Sequence, residues 1–101
     1  VSMKKFEVLY NVCHGGFSLS KEAVAELNHT YGWNINECSF NDHSNRHEYR
    51  LIKLFKEKGS EWFSGDCAEI QLIECEADGY KITEYDGKET VHEAYADFVI
   101  V

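Results

Sequence analysis

The sequence predicts a single α+β domain with two layers: a mixed or antiparallel sheet of four to five strands, with two helices on one face. Three observations predict it. The length of 101 residues suits one domain. One strand-like segment precedes two segments with helical periodicity, and the remainder alternates in the manner of strands between Asp-Gly turns. The expected order is therefore β-α-α-β-β-β. Residues 1–2 precede Met3 and are interpreted as an expression remnant, so the domain is expected to cover residues 3–101.

The first strand is predicted by alternation. Apolar side chains occupy every second position along residues 5–12, with Phe6 and Val8 among them. Leu9 lies on the opposite face of such a strand, because successive side chains point to opposite sides. We therefore expect this strand to be covered at least partly on both faces.

Two helices are predicted next. Ser20 is a favourable N-cap for a helix over about residues 20–31, where apolar residues recur at helical spacing. A second apolar stripe predicts a helix over about residues 46–58, and a glycine follows each helix as a stop signal. The segment between them, residues 33–45, has no clear period and is expected to be mostly loop.

The second half of the chain is predicted to form the remaining strands. These strands are expected within residues 68–73, 80–85, 88–92 and 98–101. Asp86-Gly87 lies between two of them and is a preferred pair for a two-residue hairpin turn.

Charge limits the classes of partner. The net charge of −8 argues against a general binder of DNA or RNA, because affinity for the phosphate backbone comes from cations. Residues 46–58 nevertheless carry five cations and two acids, a local net charge of +3 that leaves −11 on the rest of the chain. One basic face on an otherwise acidic molecule is therefore expected.

Membrane and redox features point to the cytoplasm. No apolar run reaches the roughly 18 residues that span a bilayer, and no leader segment is visible. The four cysteines have no tight spacing, so we expect reduced thiols and not a disulfide framework. No membrane partner is expected, and a homodimer is compatible with the sequence.

Three segments together resemble a known family. They are residues 11–20, which contain C-H-G-G-F-S-L-S, residues 46–52 and residues 82–89. The chain is similar to small, functionally uncharacterised proteins of phages and large DNA viruses that carry a C-x-G-G-F-x-L-S loop. In those proteins an R-H-D-P-x-L-I segment and an E-Y-D-G hairpin follow. This chain departs from the pattern by having Glu48-Tyr49 in place of Asp-Pro. The resemblance implies a viral protein in the host cytoplasm and implies no particular reaction.

The strongest candidate site is the glycine loop between the first strand and the first helix. Backbone N–H groups at a helix N-terminus favour an anion, and glycines allow a ligand to approach the backbone. Two arginines of the second helix could close the site as bidentate partners. The candidate ligand-binding residues are Cys13, Gly15, Gly16, Phe17, Ser18, Ser20, Arg46 and Arg50. The alternative interpretation is that the glycines only permit a tight turn and that Phe17 fills the core.

Two other constellations are weaker. Cys13 lies near a helix N-terminus and could be a nucleophile with His43 or His47 as its base, although a small buried thiol is the simpler interpretation. Cys38, His43 and His47 form C-x4-H-x3-H, but structural zinc sites usually contain a close cysteine pair. We therefore expect no metal or other cofactor.

The loop, the basic helix and the small size favour a binding module over an enzyme, and the resemblance implies that it is viral. It would capture a small anionic, nucleotide-like ligand or a host protein, for example as a counter-defence factor, and exposed Trp33 or Phe40 could anchor a partner. One alternative is an acidic DNA mimic or protein–protein inhibitor, and a second is a small enzyme that uses Cys13. The acidic residues near the last turn fit either a solvated edge or such a decoy surface. They are Glu84, Asp86, Glu89 and Glu93.

Overall fold

The structure, a computed structural model, describes residues 4–94. Its elements, in chain order, are β1 (Lys4–Asn11), α1 (Lys21–Tyr31), α2 (Tyr49–Lys58), α3 (Ser60–Phe63), β2 (Ile70–Ala77), β3 (Gly79–Tyr85) and β4 (Lys88–Ala94). This combination confirms the predicted α+β class. The predicted strand at residues 98–101 and the expression remnant lie outside the described residues. Within residues 4–94, no helix is both long and apolar enough to cross a membrane.

The strands form two sheets of two strands each, where a single sheet was expected. β1 pairs antiparallel with β2, and β3 pairs antiparallel with β4. A single residue, Asp78, connects β2 to β3. The β3–β4 hairpin packs its apolar residues against those of the β1–β2 ribbon, so that the two pairs meet through side chains and not through a shared ladder.

The centre of β1 is buried on both faces, as the position of Leu9 predicts. Val8 and Leu9 are adjacent and point to opposite faces, yet each is fully buried. Val8 belongs to a cluster with Tyr80 and Ile82 of the hairpin, whereas Leu9 belongs to the larger cluster that includes the helices. The molecule therefore has three layers, helices, ribbon and hairpin, where two were expected.

Local signals position α1 as predicted. The Ser20 side-chain oxygen accepts a hydrogen bond of 3.0 Å from the Ala23 N–H, which satisfies one of the free donors of the first turn. Gly32 ends the helix with φ of 68°, a left-handed conformation that glycine adopts readily. Val24 and Leu27 then pack into the main core.

The second helix begins at Tyr49, three residues later than predicted. Its N-cap is Glu48, whose side chain makes no capping hydrogen bond and instead contacts Arg50. Arg46 lies before the helix, and its backbone carbonyl accepts a hydrogen bond of 2.9 Å from the Leu9 N–H at the open edge of β1. The additional short helix α3 follows Gly59.

The hairpin turn forms as predicted. Asp86 and Gly87 have φ of 52° and 87°, the positive values that a type I′ turn requires at both central positions. Tyr85 and Lys88 form the last cross-strand pair before the turn, and Glu84 lies opposite Glu89.

Candidate functional site

The three segments that carry the resemblance meet around the side chain of Arg46. This guanidinium is fully buried, and its central carbon lies 3.6 Å from the centre of the Phe17 ring. Its Nη1 donates to Glu89 Oε1 at 2.6 Å and its Nη2 donates to Glu89 Oε2 at 2.8 Å. The pair is a bidentate, charge-assisted contact between buried partners.

The remaining donors of Arg46 are also occupied. Nε donates to the carbonyls of Phe40 and Asp42 at 2.8 and 3.2 Å, and Nη2 donates to the carbonyl of Asn41 at 3.1 Å. Nη1 also reaches the carbonyl of Leu9 at 3.4 Å. All five guanidinium N–H groups thus have acceptors inside the fold. Arg46, predicted to hold a ligand, instead ties the 40–42 loop to β1 and the hairpin.

Asn11 completes this buried network. Its side-chain amide donates to the carbonyls of Gly87 and Cys13 at 2.8 and 2.6 Å, and its Oδ1 accepts from the Glu69 N–H at 2.8 Å. Its own backbone N–H donates to Glu89 Oε1 at 2.9 Å. Asn11 was not among the predicted site residues, and Glu89 was predicted to lie on a solvated edge or a decoy surface, although its side chain is only 1% exposed.

The predicted glycine loop is packed tightly against its neighbours. A Cβ added to Gly15 would lie 1.6 Å from the carbonyl oxygen of Cys67, and one added to Gly87 would lie 2.3 Å from the carbonyl oxygen of His14. Gly16 has φ of 87°, and Phe17 is buried at 2% exposure. These contacts support the alternative interpretation, in which the loop serves packing. A role for its N–H groups in binding a ligand stays a prediction.

The two serines of the loop have structural partners. The Ser18 carbonyl accepts a hydrogen bond of 2.8 Å from the Gly65 N–H. The Ser20 hydroxyl caps Ala23, and the Ser20 carbonyl accepts from the Val24 N–H at 3.0 Å. The Ala23 N–H, one of the donors that an anion at this helix terminus would use, is therefore already occupied.

Among the described residues, the hydrogen bonds of the Cys13 thiol go to oxygen atoms and not to a base. Its thiol donates to the carbonyl of Cys67 at 2.9 Å and to Asn11 Oδ1 at 3.4 Å. The neighbouring His14 turns away and places Nδ1 3.3 Å from the carbonyl of Asp86. In the described part of the chain, Cys13 hydrogen bonds to no histidine. All four cysteines are free, and burial raises the pKa of the Cys75 thiol.

His47 and Tyr80 form a second partly buried contact. The Tyr80 hydroxyl accepts from the Arg46 N–H at 3.2 Å and lies 2.7 Å from His47 Nδ1. Burial lowers the pKa of His47, although the Glu48 carboxylate acts in the opposite direction, and burial raises the pKa of Tyr80. A neutral His47 imidazole that accepts a hydrogen bond from the Tyr80 hydroxyl satisfies both groups.

The structure separates the members of the C-x4-H-x3-H pattern. His43 places Nε2 3.8 Å from Glu84 Oε1 and 3.6 Å from Glu89 Oε2. Within residues 4–94, His43, Glu84 and Glu89 each offer a ligand atom within 4.8 Å of the other two, a set that could hold a metal ion and that includes neither Cys38 nor His47. The sequence offered one signal for it, because Glu84 and Glu89 face each other across the predicted hairpin.

Arg50 lies in a more exposed setting beside α2. Its guanidinium carbon is 4.7 Å from the ring centre of Trp33 and 5.5 Å from that of Tyr31. The side chain is 43% exposed, and Nε donates to the Glu48 carboxylate. Tyr49 is exposed at 68%. Tyr49 precedes Arg50 at the start of α2, and the exposed Lys53 lines one groove with Tyr31. We call Tyr31, Trp33, Tyr49, Arg50 and Lys53 the aromatic–cationic patch.

The charge around the patch is mixed, because Glu26 and Glu57 line the same groove as Tyr31 and Lys53. Glu89 neutralises Arg46 inside the fold, which leaves four cations and two acids between residues 48 and 58, a net charge of +2. Lys56 is paired with Glu7 of β1 at 2.8 Å, and Lys58 lies over the Trp62 ring. Arg50 and Lys53 are therefore the cations of α2 closest to the patch aromatics.

Comparisons with known proteins add no relative. No protein-family model, no curated protein and no solved structure matches this chain.

Proposed function

We propose that this protein is a binding module of viral type, active in the host cytoplasm, that captures an acidic segment of a host protein through the aromatic–cationic patch. The observation that carries the proposal is the stacking of Arg50 over Trp33 and Tyr31 while 43% of its side chain stays exposed. Tryptophan, tyrosine and arginine are the residues that most often dominate the energy of protein interfaces.

The geometry of the patch suits an anionic group on the partner. Trp33 is held between Tyr31 and Phe40, with ring centres 5.3 and 6.0 Å away. Arg50 is thus held in place before binding, which reduces the entropy lost on association. Glu48 occupies its Nε, so a partner carboxylate can bind the outer guanidinium N–H groups or displace Glu48.

The other hypotheses receive less support. A small anionic ligand at the glycine loop would lack Arg46, whose donors are all used inside the fold. An acidic decoy surface would lack Glu89, which is buried. An enzyme based on Cys13 would need a general base, but the thiol's hydrogen bonds among the described residues go to the Cys67 carbonyl and to Asn11 Oδ1.

Affinity capture from host-cell lysate tests the proposal with two matched tyrosine variants. Tyr49→Ala and Arg50→Ala alter the patch, whereas Tyr85→Ala removes an even more exposed tyrosine from the hairpin. We expect the wild type and Tyr85→Ala to retain the same partner and the patch variants to lose it. The partner should elute at an ionic strength of about 1 M, where the Debye length falls to roughly 3 Å.

Two results would contradict the proposal. One is capture that survives in Arg50→Ala and Tyr49→Ala as well as in Tyr85→Ala. The other is self-association through the patch, which sedimentation would show as a concentration-dependent dimer that Tyr49→Ala dissociates.

A further inference from the structure

His43, Glu84 and Glu89 present three ligand atoms to one point at the surface. His43 Nε2, one Glu84 oxygen and one Glu89 oxygen all lie within 4.8 Å of one another. The distances from His43 Nε2 to Glu84 Oε1 and Glu89 Oε2 are 3.8 and 3.6 Å. Ligands about 2.0–2.1 Å from a tetrahedral ion are roughly 3.3 Å apart. The two distances from His43 Nε2 exceed this value by a few tenths of an ångström, and the Glu84 and Glu89 oxygens, which lie within 4.8 Å of each other, would move closer around an ion.

The two carboxylates form an unfavourable pair without a cation. Glu84 and Glu89 are direct cross-strand partners in the β3–β4 hairpin, and like charges in this position repel. Arg46 neutralises Glu89, which still leaves one negative charge beside His43. The Glu84 carboxylate, which Arg46 does not compensate, therefore favours a positive charge beside His43.

Glu89 is held in the orientation that a metal ligand needs. Its Oε1 accepts from Arg46 Nη1 and from the Asn11 N–H, whereas its Oε2 accepts from Arg46 Nη2. A carboxylate oxygen has two lone pairs, so Oε2 keeps one acceptor direction on the side of His43. Metal-ligating carboxylates are commonly held by hydrogen bonds of this kind from an outer shell.

We propose that His43, Glu84 and Glu89 bind a divalent first-row transition metal ion such as Zn²⁺. One imidazole and two carboxylates suit such an ion better than Mg²⁺ or Ca²⁺, which prefer oxygen ligands alone. The side chains of His43 and Glu84 are 36% and 46% exposed, so the site is open to solvent and water completes the coordination. Their surface position also lets both side chains adjust around the ion.

The experiment is a titration of the metal-free protein with Co²⁺ and with Zn²⁺, followed by absorption and native mass spectrometry. We expect one ion per chain, with a cobalt spectrum that lacks the sulfur-to-metal charge-transfer band of a thiolate. His43→Ala and Glu84→Gln should each weaken binding about tenfold or more. His92→Ala is the matched control, because His92 is an exposed histidine of the same hairpin that contacts Thr83.

Three outcomes would overturn the inference: no saturable binding, equal binding by wild type and His43→Ala, or a thiolate band from the exposed Cys38 or Cys67. The variants keep Arg46 and Asn11, and circular dichroism checks that they fold. Arg50→Ala should bind the metal like the wild type, which separates this site from the aromatic–cationic patch.

Discussion

Arg46 and Arg50 lie four positions apart, and each contacts a glutamate and an aromatic ring, yet their surroundings differ completely. Arg46 and its partner Glu89 are 0% and 1% exposed, and Arg46 also donates to four backbone carbonyls. Arg50 and its partner Glu48 are 43% and 25% exposed. An ion pair and a cation–π contact alone therefore do not distinguish a structural arginine from one available to a partner. The two kinds of arginine are distinguished by their burial and by how many of their N–H donors are already occupied.

The largest effect is expected from Arg46→Ala. Removing one partner of a buried ion pair leaves the other charge uncompensated, which typically costs about 3–5 kcal/mol. That is a large share of the roughly 5–15 kcal/mol that stabilises a small domain. Urea unfolding should therefore show a severely destabilised or unfolded protein, and Arg46→Ala cannot serve as a test of ligand binding.

The double variant Arg46→Met with Glu89→Leu sharpens this prediction. Apolar replacement of a buried ion pair is often neutral elsewhere. Here the carbonyls of Phe40, Asn41 and Asp42 would still lose their donor. We expect the double variant to remain destabilised in the same urea measurement. Recovery to wild-type stability would show that the pair alone, and not the backbone contacts, accounts for the role of Arg46.

Gly15→Ala and Gly16→Ala should separate two kinds of glycine requirement. The added Cβ of Gly15→Ala meets the Cys67 carbonyl at 1.6 Å, so backbone must move, and we expect a loss of about 2 kcal/mol or more. The added Cβ of Gly16→Ala has no atom within 4 Å, so we expect only the backbone strain at φ of 87° to lower the stability, by about 1 kcal/mol. Thermal unfolding measures both. Equal losses would contradict the close packing of the loop on Cys67.

The pH dependence should report the burial of His47. Its pKa is lowered in the folded protein, so below the ordinary value of 6.5 the unfolded chain binds the proton first. The stability that depends on a neutral His47 is therefore present above about pH 6.5 and is lost as the pH falls through the lowered pKa. Unfolding free energies from pH 8 to pH 5 should fall more steeply for the wild type than for His47→Gln. If the unfolding free energies of wild type and His47→Gln changed in parallel with pH, His47 would not be the group whose protonation lowers the stability.

Sequence patterns predicted the elements that depend on neighbouring residues. The alternation along β1, the Ser20 cap and the Asp86-Gly87 turn are local signals, and each formed as expected. The position of Leu9 also indicated that β1 is covered on both faces. These features need no knowledge of distant contacts.

The errors came from contacts between distant parts of the chain. Glu89 is buried because Asn11 and Arg46, 78 and 43 positions away, supply its hydrogen bonds, and an acidic hairpin pattern cannot show this. From its residue type, Arg46 was expected on the surface of a helix. Its backbone instead hydrogen bonds to the edge of β1, and α2 begins three residues later. The same long-range packing divides the strands into a ribbon and a hairpin.

The smallest effect on stability is expected from Arg50→Ala, and this completes the comparison. An exposed ion pair contributes about 0–1 kcal/mol, and the Trp33 and Tyr31 rings keep each other as neighbours at 5.3 Å. The variant should unfold at nearly the same urea concentration as the wild type, while it loses capture of the host partner. Arg50→Lys keeps the charge but not the planar guanidinium, so it should restore little capture if stacking and bidentate contact matter. If Arg50→Ala lost as much stability as Arg46→Ala, both arginines would be structural. The proposal that the patch is a binding surface would then be wrong.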